Sequence, residues 1–320
     1  MFPASLPELS IVIPVYNSAD IFPELHRRLA AVLGARVKSF EIIAVVDGCR
    51  DKSAEVIGAL ADKDPRIKMV EFSRNFGHQA AITAGLEFAE GEVVVVMDDD
   101  LEDPPEILPG LIAQLNEGFD VVYGVRRKRR RALPYRVLYR LFYRLLGLLV
   151  NVKIPADAGD FCAMRRPVID AINSMPESNR YLRGMRAWCG FRQVGFEYDR
   201  GQRFANEPGY TLRKYVALAL DAIFSFSYAP LKFVSLAGFL IAGISFLYGA
   251  RLIVGRLTGE YANVPGWASL QVSILFLSGI QLISMGIVGE YVARIYDEVK
   301  QRPKFVIKKL VGIDRDHTND

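Results

Sequence analysis

The run Glu92-Val93-Val94-Val95-Val96-Met97-Asp98-Asp99-Asp100 decides the fold of this chain. Consecutive valines are stiff at χ1 and favour an extended backbone. A strand that is apolar at every position is buried on both faces, as in a parallel sheet covered by helices. The strand predicted over residues 92–97 runs straight into three carboxylates. Such an end is where open α/β sheets place their ligands.

Outward from this strand the pattern repeats. Val- and Ile-rich runs predict further strands over residues 9–15, 41–46, 67–72 and 120–123. Helical spacing predicts helices over 21–33, 51–63, 78–89 and 105–117. Pro105 can open the last of these, because the first N–H of a helix has no partner within it. The alternation predicts an α/β fold, a mostly parallel sheet flanked by helices. The polar clusters all fall at strand ends: Tyr16-Asn17, Asp47-Gly48, Ser73-Arg74-Asn75 and Asp98-Asp99-Asp100. That coincidence marks a candidate active site.

The 320 residues carry 40 Lys+Arg against 36 Asp+Glu, a net charge of +4, and are 51% hydrophobic. A chain so apolar buries a large core and is not intrinsically disordered. Cys49, Cys162 and Cys189 are scattered without a CxxC pair, which excludes a zinc ribbon and a disulfide scaffold and predicts reduced thiols. The residues after Met1 have no basic n-region, so no signal peptide is expected.

The apolar residues concentrate late in the chain. Residues 233–250 contain no charge, and neither do residues 261–289. A helix needs about 20 apolar residues to cross a bilayer core, so both stretches predict transmembrane helices, with a pair of buried core helices as the alternative. Trp267 and Tyr291 sit near the ends of the second, where interface anchors belong. Arg213 and Lys214 precede the first span. Arg294, Lys300, Arg302, Lys304, Lys308 and Lys309 follow the second. The positive-inside rule then places both termini and the large N-terminal part in the cytoplasm. Gly238, Ala242, Ser245 and Gly249 recur at 3 to 4 spacing in the first span, a face that suits close packing and predicts a homo-oligomer.

Residues 126–131 read RRKRRR. Val137, Leu138, Leu141, Phe142, Leu145, Leu148 and Leu149 then recur at helical spacing, with Arg136, Arg140 and Arg144 on the other face. A basic amphipathic helix lies in a membrane interface. No recognition motif accompanies the run, so no nucleic-acid partner is expected. Residues 212–226 predict a second interfacial helix.

Neither GxGxxG nor GxxxxGK[ST] occurs, so the dinucleotide and P-loop devices for phosphate are missing. Asp98 and Asp100 are i and i+2 in an extended segment and point the same way, so they can share one cation. Hard oxygen ligands suit Mg²⁺ or Mn²⁺, with a diphosphate completing the shell. The other reading of these acids is a polar cap before Pro104-Pro105.

Ile11-Val12-Ile13-Pro14-Val15-Tyr16-Asn17 resembles the opening strand of family 2 glycosyltransferases, which have the GT-A fold. The tract from Val94 to Glu106 is similar to the DxD region of their polyprenyl-phosphate branch, which includes bactoprenol glucosyltransferases and dolichol-phosphate mannose synthase. Ser73-Arg74-Asn75-Phe76-Gly77-His78, Ala158-Gly159-Asp160-Phe161, Tyr181-Leu182-Arg183-Gly184, Gly190-Phe191 and Phe224-Ser225-Phe226-Ser227 match in the same order. The chain departs at Val46 and Cys49, where the family has an acid and a serine, and at Gly209, where it has a lysine.

The resemblance implies transfer of one sugar from a nucleoside diphosphate sugar to a polyprenyl phosphate. Glucose from UDP-glucose is expected, with GDP-mannose the alternative donor. Asp98 and Asp100 would hold Mg²⁺ or Mn²⁺. Pro14, Tyr16, Asn17, Asp47, Arg74, His78 and Asp99 would line the nucleotide-sugar site, with Asp47 on base or ribose and Arg74 and His78 near the diphosphate. Arg200 and Arg203, in a polar turn, would hold the acceptor phosphate; the plainer reading is a surface pair. Asp157 and Asp160, in a loop after Ile154-Pro155, are catalytic candidates or turn formers. The implied organisation is a nucleotide-sugar-binding core over 1–130, an acceptor-side region with interfacial helices over 131–228, a transmembrane hairpin over 229–292 and a basic tail over 293–320. A processive polysaccharide synthase would need a QxxRW motif and more spans. An inactive membrane-anchored nucleotide-sugar-binding protein would not need the acid pair.

Overall fold

The computed structural model describes residues 6–34, 36–127, 158–178, 180–199, 229–258 and 266–313. Asp157, Arg200, Arg203, most of the basic run and both expected interfacial helices lie outside the described residues.

Among the described residues the elements are β1 (Leu9–Val15), α1 (Phe22–Leu33), β2 (Phe40–Val46), α2 (Ser53–Ala61), β3 (Ile67–Phe72), α3 (His78–Phe88), β4 (Val93–Val96), a 3₁₀ turn (Pro105–Ile107), α4 (Leu108–Asn116), β5 (Val121–Arg126), β6 (Ala158–Arg165), α5 (Arg166–Asn173), α6 (Leu182–Trp188), β7 (Gln193–Tyr198), α7 (Ala229–Leu257), α8 (Trp267–Val299) and β8 (Ile307–Val311). The strands form one sheet in the order β7-β5-β6-β4-β1-β2-β3-β8. The β1–β2, β2–β3, β1–β4 and β5–β7 pairs are parallel. The β3–β8, β4–β6 and β5–β6 pairs are antiparallel. The sheet is therefore mixed: a parallel centre with antiparallel additions on both sides.

The chain builds outward from β1 through β2 to β3, then crosses back to lay β4 on the other side of β1. This reversal opens a crevice at the carboxyl ends of β1 and β4. The strands are buried on both faces, and successive side chains feed opposite layers. Leu9, Ile11, Ile13 and Val15 pack with Phe22, Leu25 and Leu29 of α1 and Leu111 of α4. Val12, Ile43 and Val45 pack with Ala81 and Ile82 of α3 and Val168 and Ile169 of α5.

Pro14 sits inside this central strand, a position that normally excludes proline. The last β4-to-β1 hydrogen bond runs from Met97 N to Val12 O, 3.1 Å. Alternate residues turn their backbone groups to the same neighbour, so the missing N–H of Pro14 faces the place where β4 has already left.

Strand β8 comes from the segment read from sequence as a basic tail. Lys308 bonds Glu71 at 2.5 Å, and Phe305 stacks on Phe72 with ring centroids 5.0 Å apart. Its two adjacent lysines broke the apolar pattern that reveals the other strands.

Helices α7 and α8 belong to a second compact unit. Within them, Pro230–Arg251 and Phe276–Val299 are long and apolar enough to cross a membrane. Phe239 is 80% and Phe246 77% exposed, as side chains in lipid would be. A Cβ added at Gly238 or Gly249 would meet nothing within 4 Å among the described residues.

Asp64 fastens the sheet unit far from the crevice. It accepts two bonds from the Arg66 guanidinium, at 2.8 and 2.7 Å, and one contact from His26 Nε2 of α1 at 2.9 Å. The Arg66 bonds, against burial, hold its carboxyl far below the usual range. A lowered pKa contributes stability above the unfolded value of about 3.9 and loses it on acidification. In Asp64→Asn, stability at pH 7 should fall by about 1–3 kcal/mol. In thermal melts, the gap from the parent protein should shrink progressively below about pH 4; a gap unchanged down to pH 2 would contradict the assignment.

Candidate active site

The crevice is walled by four segments that brace one another through the backbone. Tyr16 N donates to Asp99 Oδ2 at 3.2 Å, tying the end of β1 to the acids after β4. Asn17 N donates to Cys49 Sγ at 3.3 Å, and Asn17 Oδ1 accepts from Arg50 N at 2.9 Å. Cys49 thus serves as an acceptor where the family carries serine. Asn17 (φ 56°) and Leu101 (φ 59°) are non-glycine residues held in the left-handed region. That costs free energy and is characteristic of functional sites.

Asp47 does not present its carboxylate to the crevice. It is 4% exposed, and its two oxygens accept from Phe76 N (2.6 Å) and Gly77 N (2.9 Å). One acceptor position on each oxygen is thus used to hold the loop entering α3. The glycines in these turns are required. A Cβ on Gly48 (φ +58°) would lie 2.2 Å from Asn75 N, and Gly77 adopts φ +98° to start α3. Pro14 is buried, whereas Tyr16 is 48% exposed at the mouth of the crevice. Arg74 is exposed, lies over the Phe76 ring at 4.0 Å and donates to Asn75 O at 3.1 Å.

The acids form the floor. Asp160 was read as a loop residue; it lies in β6, antiparallel to β4. The pairing Val96↔Cys162, continued two residues, sets Asp160 across from Asp98. His78 Nε2, at the start of α3, stands 3.6 Å from Asp98 Oδ1 and 3.6 Å from Asp160 Oδ2. Arg183 grips Asp160 with both fork arms, Nε to Oδ1 at 2.8 Å and Nη2 to Oδ2 at 3.0 Å. Asp100 Oδ1 accepts from Glu102 N at 3.0 Å.

Asp103, 1% exposed, accepts a short bond from the Tyr198 hydroxyl and pairs with Arg126 Nη2 at 3.5 Å. Arg126 therefore leaves the basic run and turns into the carboxylate cluster. Local pattern carries little sign of this, because the strand expected over 120–123 continues to 126 and takes that arginine to the strand end. Arg183 had no spacing signal at all, being 23 residues from its partner.

This crowding shifts proton affinities. Burial, with Asp160, Asp100 and Asp103 nearby, raises Asp98 to about 6, although His78 opposes the rise. Burial likewise raises Asp99. Asp160 moves down, because His78 and Arg183 outweigh its burial. His78 moves up, because the carboxylates outweigh its burial.

Among the described residues no three His, Cys, Asp or Glu groups are arranged to hold a metal by themselves. A hard cation held by Asp98 and Asp100 would draw the rest of its shell from substrate oxygens and water. Asp98, held beside like charges, is the group whose repulsion such a cation would relieve.

A raised carboxyl pKa opposes folding wherever the unfolded group ionises, so its cost builds from about pH 4 and is complete above about pH 6. Asp98→Asn in chelator should therefore melt higher than the parent at pH 7, with the advantage shrinking below about pH 6 and gone near about pH 4. A variant that melts lower at pH 7 would contradict this charge balance.

Comparison with known proteins agrees with the fold. The family described as glycosyl transferase family 2 matches residues 10–172. The chain is 42% identical over 308 residues to an uncharacterised glycosyltransferase of Bacillus subtilis, covering 96% of this chain and 95% of that one. It is 39% identical over 304 residues to the SfII prophage-derived bactoprenol glucosyl transferase of Shigella flexneri, covering 94% and 98%. Among solved structures, Mycobacterium tuberculosis glucosyl-3-phosphoglycerate synthase in complex with Mn²⁺, UDP and glucosyl-3-phosphoglycerate aligns with a TM-score of 0.45. That alignment has 20% identity and covers 68% of this chain and 78% of the other. The chain belongs to glycosyl transferase family 2 and is a glycosyltransferase.

Proposed function

We propose that the protein transfers one glucose from UDP-glucose to a polyprenyl phosphate at the cytoplasmic face of a membrane. The carrying observation is a strand-end carboxylate cluster, fit for a cation and diphosphate, in a chain that also bears two apolar helices exposed along their length. Full-length relatives named bactoprenol glucosyl transferase favour glucose over mannose and a lipid acceptor over a polymer.

The acceptor phosphate attacks the anomeric carbon; the new C–O bond forms as the bond to the diphosphate breaks, and UDP leaves with the electron pair. A phosphate monoester has a second pKa near ~6 and is already anionic at neutral pH, so the step needs no strong base. This agrees with Asp160, whose oxygens are both held by Arg183 and which makes a poor proton acceptor. Asp98 and Asp100 would hold Mg²⁺ or Mn²⁺, which when bound neutralises charge on the departing diphosphate. Tyr16 offers an exposed ring to the nucleotide at the mouth, beside the Asp99 brace. Asp47 and Asn17 shape that wall from behind.

Two anionic substrates must meet over a floor of carboxylates, so cations have to offset the repulsion. Arg126 does so from the described side, with a planar fork suited to phosphate. Arg200 and Arg203 are assigned the same role on the resemblance, and Asp157 is assigned the acceptor side. Both termini and the sheet unit are assigned to the cytoplasm by the lysines and arginines flanking the spans. Oligomers would form through the first span, where Gly238 and Gly249 meet no neighbour among the described residues.

The test uses purified full-length protein in vesicles, labelled UDP-glucose and GDP-mannose, and polyprenyl phosphate. The expected product is a lipid carrying one glucose, formed only with Mg²⁺ or Mn²⁺. Asp98→Ala and Asp100→Ala should each lower the rate by ~100-fold or more, as expected for loss of charge stabilisation at a leaving group. UDP release that ignores the lipid, or full activity in either variant, would refute the reading.

A further inference from the structure

The segment Tyr181-Leu182-Arg183-Gly184 has no part in the function so far, yet it reaches the centre of the site. Two consecutive residues of α3 meet two consecutive residues of α6. Gln79 Oε1 accepts from Leu182 N at 2.9 Å, which hangs the start of α6 on the start of α3. One residue along, Arg183 and His78 hold the same carboxylate, Asp160, from two sides. Asp160 is only 12% exposed, so its charge depends on these partners rather than on water.

We propose that Arg183 is a positioning residue of the transfer site: its fork locks Asp160 and thereby keeps His78 shared between Asp160 and Asp98. The inference rests on the proposed transfer reaction. His78 Nε2 is equidistant from the two carboxylates, at 3.6 Å from each. Without the guanidinium, Asp160 becomes a mostly buried anion with His78 as its nearest cation. The imidazole then closes on Asp160 and leaves Asp98, and the acid facing the diphosphate loses its orientation. Lysine does not replace the fork, because a point charge cannot grip both oxygens in one plane.

The clamp acts on alignment in the chemical step, not on nucleotide affinity. Small misplacements at a reacting centre can cost up to ~100-fold. Arg183→Gln should lower kcat by roughly 10- to 100-fold while the KM for UDP-glucose changes by less than about threefold. Arg183→Lys, which keeps the charge for folding, should recover only part of kcat. Combining Arg183→Gln with Asp160→Asn should cost no more than the worse single change, because the two residues act as a unit. Thermal melts on each variant separate misfolding from misalignment. Undiminished kcat in Arg183→Gln, full recovery in Arg183→Lys, or losses that multiply in the double variant would overturn the clamp. The parent protein assayed alongside separates the two claims. Product from the parent together with any of these results refutes only the clamp, whereas no lipid-linked product from the parent refutes the functional reading.

Discussion

Asp98 faces Asp160 across two antiparallel strands, and Asp99, Asp100 and Asp103 crowd the same strand end. Carboxylates so placed repel one another and resist burial, and only compensating cations keep such a cluster in a folded protein. Within the chain the compensation comes from His78, Arg183 and Arg126, each delivered by a different element. Among the described residues it is incomplete, since burial and the neighbouring carboxylates still hold Asp98 above its usual range. On the proposed reading a cation, and through it a diphosphate, would relieve the remaining imbalance.

The surrounding scaffold can be understood as what holds that cluster still. Strand β4 is only four residues long, yet it is central, flanked by β1 on one side and β6 on the other. Its acids cannot move without disturbing the sheet. Across the crevice, side chains that resemble ligand contacts in sequence are spent on backbone groups. Asp47 fixes the turn into α3, and Asn17 and Cys49 fix the turns after β1 and β2. Left-handed residues at Asn17, Gly48, Gly77 and Leu101 record how tightly those turns are drawn. A wall of this kind supplies geometry, and the exposed Tyr16 supplies surface.

The parallel centre was legible because its strands are uninterrupted apolar runs. The strands expected over 9–15 and 67–72 are the ones observed, and that over 41–46 agrees to within a residue. Strands β6 and β8 were not legible. The first opens with Ala158-Gly159-Asp160, which read as a turn, and the second holds two adjacent lysines. What makes both of them strands is pairing with distant partners, β4 and β3, which local pattern does not encode. The same reason hid the site's cations. Asp98 and Asp100 stand next to a recognisable strand, but Arg183 meets Asp160 only because α6 folds back, and Arg126 meets Asp103 only because β5 and the loop after β4 end together. Asp47 lies at a strand end as expected, and the backbone bonds that its oxygens accept from the neighbouring loop had no local signal in the sequence.

On the proposed reading, the two apolar helices are explained by the chemistry of the acceptor. A polyprenyl phosphate keeps its chain in the bilayer and offers only its head group to a water-exposed site, so an enzyme that uses it gains from being anchored where the lipid is. The central claim is that the strand-end acids hold a cation whose shell the nucleotide diphosphate completes. Its most direct measurement is electron–nuclear double resonance on Mn²⁺ added to the full-length protein with UDP. The account predicts resolved ³¹P coupling from the diphosphate, lost in a protein lacking the Asp98 and Asp100 carboxylates. Mn²⁺ that binds without phosphorus coupling, or coupling that survives removal of both acids, would contradict it.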